Sequence, residues 1–147
     1  MSDELAIAMA TAASRFAELI NRDSPGTLDY SQESASRLDS FIDEAWPKGP
    51  SEDTLNYTLP LMAAYLGEVI RRSLGGTWVM DAAQGGPALE NRGQRVFPYN
   101  RAGKRLSQGR QWSLAVFCSE LEMVWLQDET PESRGWRPFK RPPAGRI

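Results

Sequence analysis

Residues 65–78 contain the side chains with the greatest chemical potential in this sequence. Glu68 lies within an apolar stretch, and Arg71 and Arg72 follow it at i+3 and i+4. A carboxylate in apolar surroundings either pairs with a cation or takes up a proton, because an isolated buried charge is costly. With the aromatic side chains of Tyr65 and Trp78, this group predicts either a polar ligand pocket or a structural ion pair. We favour the ion pair, since structural networks of this kind also perturb carboxylates.

A second group of charged residues consists of Arg101, Lys104 and Arg105, which have little acid nearby. Arg101 and Arg105 are one helical turn apart and share a helix face. That face is suited to an acidic protein partner, a phosphate group or RNA, and its cations are further possible partners for Glu68. The alternative is an ordinary solvated helix face, which we favour because short basic runs are weak motifs.

The C-terminal segment, residues 133–147, interleaves basic and aromatic side chains. It has five basic residues and no acidic one, and Trp136 and Phe139 lie among them. Such a segment binds single-stranded nucleic acid or an acidic protein surface, or it lies as a strap against the acidic part of its own domain. The sequence leaves these alternatives open.

Missing residue types exclude several classes of chemistry. The chain has no histidine, which rules out His-dependent nucleophilic catalysis, an imidazole base and His-ligated metals. Cys118 is the only cysteine, so an intrachain disulfide and a thiolate zinc site are excluded, and its apolar setting predicts a buried thiol. Asp39 and Asp43 match no calcium loop and are predicted to lie on a solvated helix face. We therefore predict no catalytic residue, no metal and no cofactor.

Charge is divided unevenly along the 147 residues. The net charge is −2, but residues 1–70 carry 4 basic and 12 acidic groups, whereas residues 71–147 carry 13 and 7. The low net charge gives no bulk attraction to nucleic acid, while the opposed halves favour an acidic or otherwise charged protein partner. The acidic start of the chain does not resemble a signal peptide, and the longest uncharged run, residues 54–67, is too short to span a membrane. With one cysteine, these features predict a cytoplasmic protein without a membrane partner.

Apolar periodicity predicts the order of helices and strands. Helices are predicted at residues 3–21, 32–46 and 51–74, from Asn100 to Leu106 with Asn100 as the cap, and after Ser113. The stretch 59–70 is apolar on every side apart from Glu68, which places its helix at the centre of the domain. Gly67 would let another element approach that helix closely. About three short antiparallel strands are predicted near residues 77–80, 88–90 and 94–97.

Two segments carry a resemblance to a known group of proteins. The first runs from Leu28 to Ser34 (LDYSQES) and leads to Leu38-Asp39, and the second is Tyr65-Leu66-Gly67-Glu68 followed by Gly75-Gly76-Thr77-Trp78. Together they resemble an actinobacterial family of small proteins with a domain of unknown function, in which a Tyr-Leu-Gly-Glu helix precedes Gly-Gly-x-Trp. The resemblance covers residues 28–110 and implies an α+β fold without a particular catalytic activity. Similar proteins beside toxin or secretion loci make an immunity or adaptor role conceivable by association.

These observations predict one α+β domain over residues 1–132, followed by a basic, proline-rich tail at residues 133–147. The domain is expected to have N-terminal helices, a buried central helix, a small antiparallel sheet and a C-terminal helix. The first functional hypothesis is a non-enzymatic protein-interaction module of an immunity or adaptor type. The second is a small-ligand binder or carboxylate-based enzyme with a pocket around Glu68. The candidate binding residues are Tyr65, Glu68, Arg71, Arg72, Trp78, Arg101, Lys104 and Arg105.

Overall fold

The structure, a computed structural model, describes residues 2–126, with side chains from residue 4 onward. In this range the chain forms α1 (Ser2–Asp23), α2 (Gln32–Ala45), α3 (Glu52–Leu74), β1 (Thr77–Asp81), β2 (Gly86–Asn91), β3 (Gln94–Val96), α4 (Pro98–Gln108) and α5 (Leu114–Leu126). A single 3₁₀ turn, Arg110–Trp112, joins α4 to α5. The predicted α+β class and the predicted order of elements are confirmed. The predicted domain end at residue 132 and the tail at 133–147 lie outside the described residues.

Serine residues cap the N-termini of both α2 and α3. Ser31 Oγ accepts a hydrogen bond from the Ser34 amide at 3.1 Å, and Ser51 Oγ accepts one from the Thr54 amide at 3.2 Å. Each hydroxyl satisfies a backbone donor that has no partner within its own helix. Pro60 lies inside α3 rather than at its start, so this helix is continuous across the proline.

Helix α3 is the centre of the domain, as its apolar sequence predicts. Every residue from 62 to 70 is buried, including the side chain of Glu68. The helix packs mainly against α1 and α4, and it also contacts α2 and α5. Because neighbours cover residues 62–70 on all sides, a charge within that stretch must find its partner within the protein.

The sheet has three antiparallel strands in the order β1-β2-β3. Trp78 pairs with Leu89, and Leu89 pairs with Val96, so these three buried side chains follow one another across the sheet. Arg92 and Gly93 close the β2–β3 hairpin with φ angles of 55° and 84°. Positive φ at both residues of a two-residue loop is the pattern of a type I′ turn, whose twist matches that of the strands.

Helix α4 differs from the sequence prediction at its start. It begins at Pro98 rather than after Asn100, and Phe97 occupies the N-cap position without a side-chain hydrogen bond. Proline suits the first turn because its φ is fixed and its missing N–H would have had no helical partner there. Asn100 is therefore not the cap, and its backbone N–H instead donates to the Phe97 carbonyl at 3.0 Å. The helix ends before Gly109, as predicted.

Candidate functional site

Glu68 lies at the centre of a buried charge network at the C-terminal end of α3. Arg71 binds it with two parallel hydrogen bonds, Nε to Oε2 at 2.8 Å and Nη2 to Oε1 at 2.9 Å. The Arg72 Nε lies 3.4 Å from Oε1, and the indole Nε1 of Trp78 donates to Oε2 at 2.8 Å. The structure thus brings together four of the predicted site residues, Glu68, Arg71, Arg72 and Trp78, as one network.

This network keeps the Glu68 carboxylate ionised. Burial acts to raise its pKa, but the hydrogen bonds from Arg71 and Trp78 and the charges of both arginines outweigh burial, so the pKa lies below its ordinary value. The carboxylate has no exposed surface, whereas the two arginine side chains are about two-fifths exposed. A ligand would have to displace Trp78 or Arg71 to reach it. The arrangement is that of a structural ion pair rather than a group free to exchange protons.

The position of Trp78 depends on Gly67, the residue at which the sequence predicts that another element approaches α3 closely. The indole ring of β1 lies directly on α3 at this glycine, and a Cβ atom at position 67 would overlap the Cη2 and Cζ2 atoms of Trp78. Only a residue without a side chain lets the ring approach closely enough for its Nε1 to reach Glu68. Gly67 is therefore part of the construction of the network.

Tyr65 belongs to a different polar cluster, one turn earlier on α3. Its hydroxyl accepts a hydrogen bond from the Tyr30 amide at 3.0 Å and lies 2.7 Å from Ser34 Oγ. Ser34 Oγ lies 2.6 Å from the Ser31 carbonyl, to which it donates its own proton, so Tyr65 is the donor to Ser34. This chain of donors holds the α1–α2 connection, where Tyr30 has a φ of 69°.

The two clusters meet through Tyr30. The Arg72 guanidinium carbon lies 3.7 Å from the centroid of the Tyr30 ring, a close cation–π contact. Tyr65 is fully buried, and burial raises the pKa of its hydroxyl. Its role in the structure is to connect α2 with α3, and its hydroxyl makes no contact with Glu68.

Arg105 is not on a solvated face shared with Arg101, and this part of the sequence prediction is wrong. Its side chain is 2% exposed and points towards α2. Its Nε donates to Asp39 Oδ1 at 2.7 Å, and its Nη2 donates to the Asp39 carbonyl at 3.0 Å and to Asp43 Oδ1 at 2.8 Å. Burial lowers the pKa of Arg105, but its two carboxylate partners outweigh this effect and raise it.

Asp39 is also misplaced by the sequence prediction, since it is buried rather than solvated. Besides Arg105, its carboxylate accepts hydrogen bonds from Ser113 Oγ at 2.7 Å and from the amides of Leu114 and Ala115, both at 3.1 Å. It therefore caps the start of α5, where free N–H groups and the helix dipole favour an anion. Asp39 belongs to α2, binds Arg105 of α4 and caps α5, so this one carboxylate connects three helices.

The pattern of α2 contained a signal for Asp39. Ala35, Leu38, Asp39 and Ile42 lie at i, i+3, i+4 and i+7, which is the spacing of a buried helix stripe. An aspartate on that stripe needs an internal partner. The partner could not be named from the sequence, because Arg105 lies 66 residues further along the chain.

Arg101 and Lys104 line a cleft of about 400 Å³ between the sheet, α4, the 3₁₀ turn and α5. The Arg101 guanidinium lies 4.5 Å from the Phe117 ring centroid and 5.2 Å from that of Trp112. The Lys104 ammonium lies 4.4 Å from the Trp112 centroid. The remaining lining residues are Gln94, Arg95, Val96, Phe97 and Asn100. We call this feature the basic cleft.

The positive charges of the basic cleft differ in their partners. Arg95 is paired with Asp81 at 2.9 Å and lies 3.8 Å from Glu90. Within residues 4–126, neither Arg101 nor Lys104 forms an ion pair; Arg101 donates instead to the Ser113 carbonyl at 3.2 Å. Burial lowers the pKa of Arg101, and the charge of Glu120 acts in the opposite direction. Both cations lie on aromatic rings and face a space that an anion can enter.

Other predicted features concern metals, thiol chemistry and membranes. Cys118 is buried as predicted, and burial raises the pKa of its thiol to about 12. Among the residues that the structure describes, no group of three or more Cys, Asp or Glu side chains is arranged to hold a metal ion. In the same part of the chain, none of the helices combines the length and apolar character needed to cross a membrane.

No protein-family model matches the chain, and neither a curated protein nor a solved structure is significantly similar to it. The resemblance to the actinobacterial family therefore stays a prediction.

Proposed function

We propose that this protein is a non-enzymatic interaction module that binds an acidic segment of a partner protein in the basic cleft. The observation that carries the proposal is the pair of cations, Arg101 and Lys104, which lie on aromatic rings and have no carboxylate partner among residues 4–126. The other basic candidates of the sequence analysis, Arg71, Arg72 and Arg105, are already paired with carboxylates.

The chemistry of the cleft favours carboxylates set on an extended segment. Arginine and lysine bind carboxylates through charge-assisted hydrogen bonds, and the walls of Phe97, Trp112 and Phe117 provide apolar contact beside them. The rings also restrict the cations, so less side-chain freedom is lost on binding. The single cysteine, which is buried, suits a cytoplasmic setting for such a module.

A binding measurement with a defined acidic probe tests this proposal. We expect a fluorescein-labelled oligoglutamate peptide to show increased anisotropy with the full chain, and the affinity to fall as salt is raised, because exposed charges are screened over about 10 Å at 0.1 M salt. Lys104→Glu should weaken binding on the order of tenfold, since like charges oppose association.

Lys48→Glu is the matched control, because it changes the net charge equally at an exposed loop position outside the cleft. It should leave the affinity within about twofold of the unmodified protein, since an exposed charge that does not line the binding surface is screened by salt. Equal loss in both variants, or no salt-sensitive binding at all, would contradict the proposal.

A second candidate function, small-ligand binding, is favoured by a separate apolar cavity of about 140 Å³ beside Trp78. Its lining residues are Met9, Pro60, Ala63, Ala64, Trp78, Pro87, Pro98 and Tyr99. The ligand would be a small apolar molecule against the indole ring rather than a group bound to the Glu68 carboxylate. A thermal-shift screen with small aromatic and aliphatic compounds tests this alternative, and the absence of any stabilising compound counts against it.

A further inference from the structure

The exposed face of α4 separates the basic cleft from a second, shallow depression. Asn100, Lys104 and Ser107 lie at i, i+4 and i+7, so they form one ridge along the helix. Asn100 and Lys104 line both depressions, which makes the two surfaces continuous across this ridge. A segment bound in the cleft can therefore cross the ridge without leaving the protein surface.

The second depression is apolar, in contrast to the basic cleft. Leu55 and Leu59 of α3 form one side of it, and Tyr99 and Gly103 of α4 form the other. Both leucines pack against the core while remaining partly exposed, and the Tyr99 ring is 46% exposed. We call this surface the apolar shelf. Gly103 keeps it open, because no side chain projects from α4 at that position.

We propose that the partner segment has two parts: acidic residues that enter the basic cleft, and an adjacent aliphatic side chain that lies on the apolar shelf. This inference rests on the proposed function, and it adds the class of sequence that is recognised. The occupant is identified by charge complementarity at Arg101 and Lys104 and by the shared lining at Asn100 and Lys104. A purely acidic segment fills only half of this surface.

The shelf also provides specificity that the cleft lacks. Exposed charge pairs contribute little individually and discriminate poorly among acidic segments. A leucine that leaves water for the shelf adds apolar burial, and its position relative to the acidic run fixes the register of the segment. We expect the leucine to tighten binding on the order of tenfold over serine at the same position.

Anisotropy with paired peptides tests the inference. One set carries a run of glutamates with a single leucine at successive positions on either side, and the matched set carries serine in place of leucine. Gly103→Gln covers the shelf, and the fold should accept it because a Cβ at this position meets only Leu59 atoms at 3.6 and 3.9 Å, an ordinary contact. Ser36→Gln places the same group on the exposed face of α2 as a control.

The expected result is that one leucine position binds about tenfold tighter than its serine match, that Gly103→Gln removes this gain, and that Ser36→Gln keeps it. The serine peptides should bind Gly103→Gln and the unmodified protein equally. If leucine adds nothing while the serine peptides still bind through Lys104, the inference is wrong and the proposed function stands. If neither set binds, both are wrong.

Two further outcomes would assign the surface to another occupant and overturn the inference. A salt-sensitive dimer in sedimentation that Gly103→Gln dissociates would identify a second copy of the chain. Tighter binding of all the peptides after removal of residues 133–147 would identify the chain's own C-terminal residues.

Discussion

Glu68 is a buried carboxylate whose hydrogen-bond partners give it a structural role. Its carboxylate accepts hydrogen bonds from two arginines and an indole, so the energy lost on leaving water is recovered through charge-assisted contacts. The exposed parts of Arg71 and Arg72 keep their positive charge partly solvated, which lowers the desolvation cost of the network. Glu68, whose setting in the sequence suggests acid–base chemistry, is therefore held in its ionised form.

Glu68→Gln should destabilise the protein, because the neutral amide cannot accept two charge-assisted hydrogen bonds from Arg71. We expect a loss of about 1–3 kcal/mol in the free energy of unfolding, measured by urea denaturation at neutral pH. Glu122→Gln, on the exposed face of α5, is the control and should change it by less than about 0.5 kcal/mol. Equal stability of Glu68→Gln and the unmodified protein would show that the network does not stabilise the fold.

The pH dependence of stability gives an independent test of the ionised state. Because folding lowers the pKa of Glu68, its stabilising contribution is complete above the ordinary value of 4.5 and is lost as the pH falls through the folded-state pKa. The stability difference between the unmodified protein and Glu68→Gln should therefore be constant above about pH 5 and shrink below it. A difference that grows as the pH falls would mean that Glu68 is protonated in the folded protein.

At the scale of elements, β1 and α3 are fixed together by the contact between Trp78 and Gly67. Gly67→Ala should lose about 1–3 kcal/mol of stability, because the methyl group displaces the indole ring and breaks its bond to Glu68. Gly103→Ala is the matched control in α4, where the methyl group meets only ordinary contacts with Leu59. That variant should gain about 0.5–1 kcal/mol from helix propensity. Thermal unfolding should show a lower melting temperature for Gly67→Ala and a higher one for Gly103→Ala than for the unmodified protein. Equal stability of the two variants would contradict the close packing of Trp78 on Gly67.

Asp39 connects α2 with α4 and α5, just as Glu68 connects α3 with β1. Asp39→Asn should cost about 3–5 kcal/mol in urea denaturation, because it removes the charge that compensates buried Arg105 and weakens the cap of α5. Asp43→Asn should cost less than about 1 kcal/mol, since its side chain is 43% exposed. Comparable losses in the two variants would contradict the central place of Asp39.

Local patterns were sufficient for the elements but not for all of their contacts. The apolar run on α3, the serine caps and the residues of the β2–β3 turn act through neighbours in sequence, so the class and order of elements followed from them. Glu68 could be paired in advance because Arg71 and Arg72 are one turn away. The Asp39–Arg105 pair depends instead on how α2, α4 and α5 pack, and the basic cleft depends on how α4 and α5 pack beside the sheet. No local spacing encodes either arrangement.

On the scale of the whole molecule, the charged groups have two distinct roles. Those at the α3–β1 and α2–α4–α5 junctions are buried or paired and hold the elements together. Arg101 and Lys104 of α4 lie above aromatic rings, form no ion pair among residues 4–126, and are the cations that we propose bind a partner. The opposed charges of the two halves of the chain are thus partly paired inside the fold, and among the described residues the basic cleft brings two cations that lack ion pairs together on aromatic rings.

Binding in the basic cleft is tested most directly by titrating the ¹⁵N-labelled full chain with an oligoglutamate peptide and following the amide signals by NMR. If the peptide binds in the basic cleft, the amide signals that shift should belong to residues 94–104 and 112–117. Their chemical shifts should return towards the values of the free protein as salt is added. Shifts that cluster instead at residues 67–78, around Glu68 and Trp78, or no shifts at all at low salt, would contradict binding in the basic cleft.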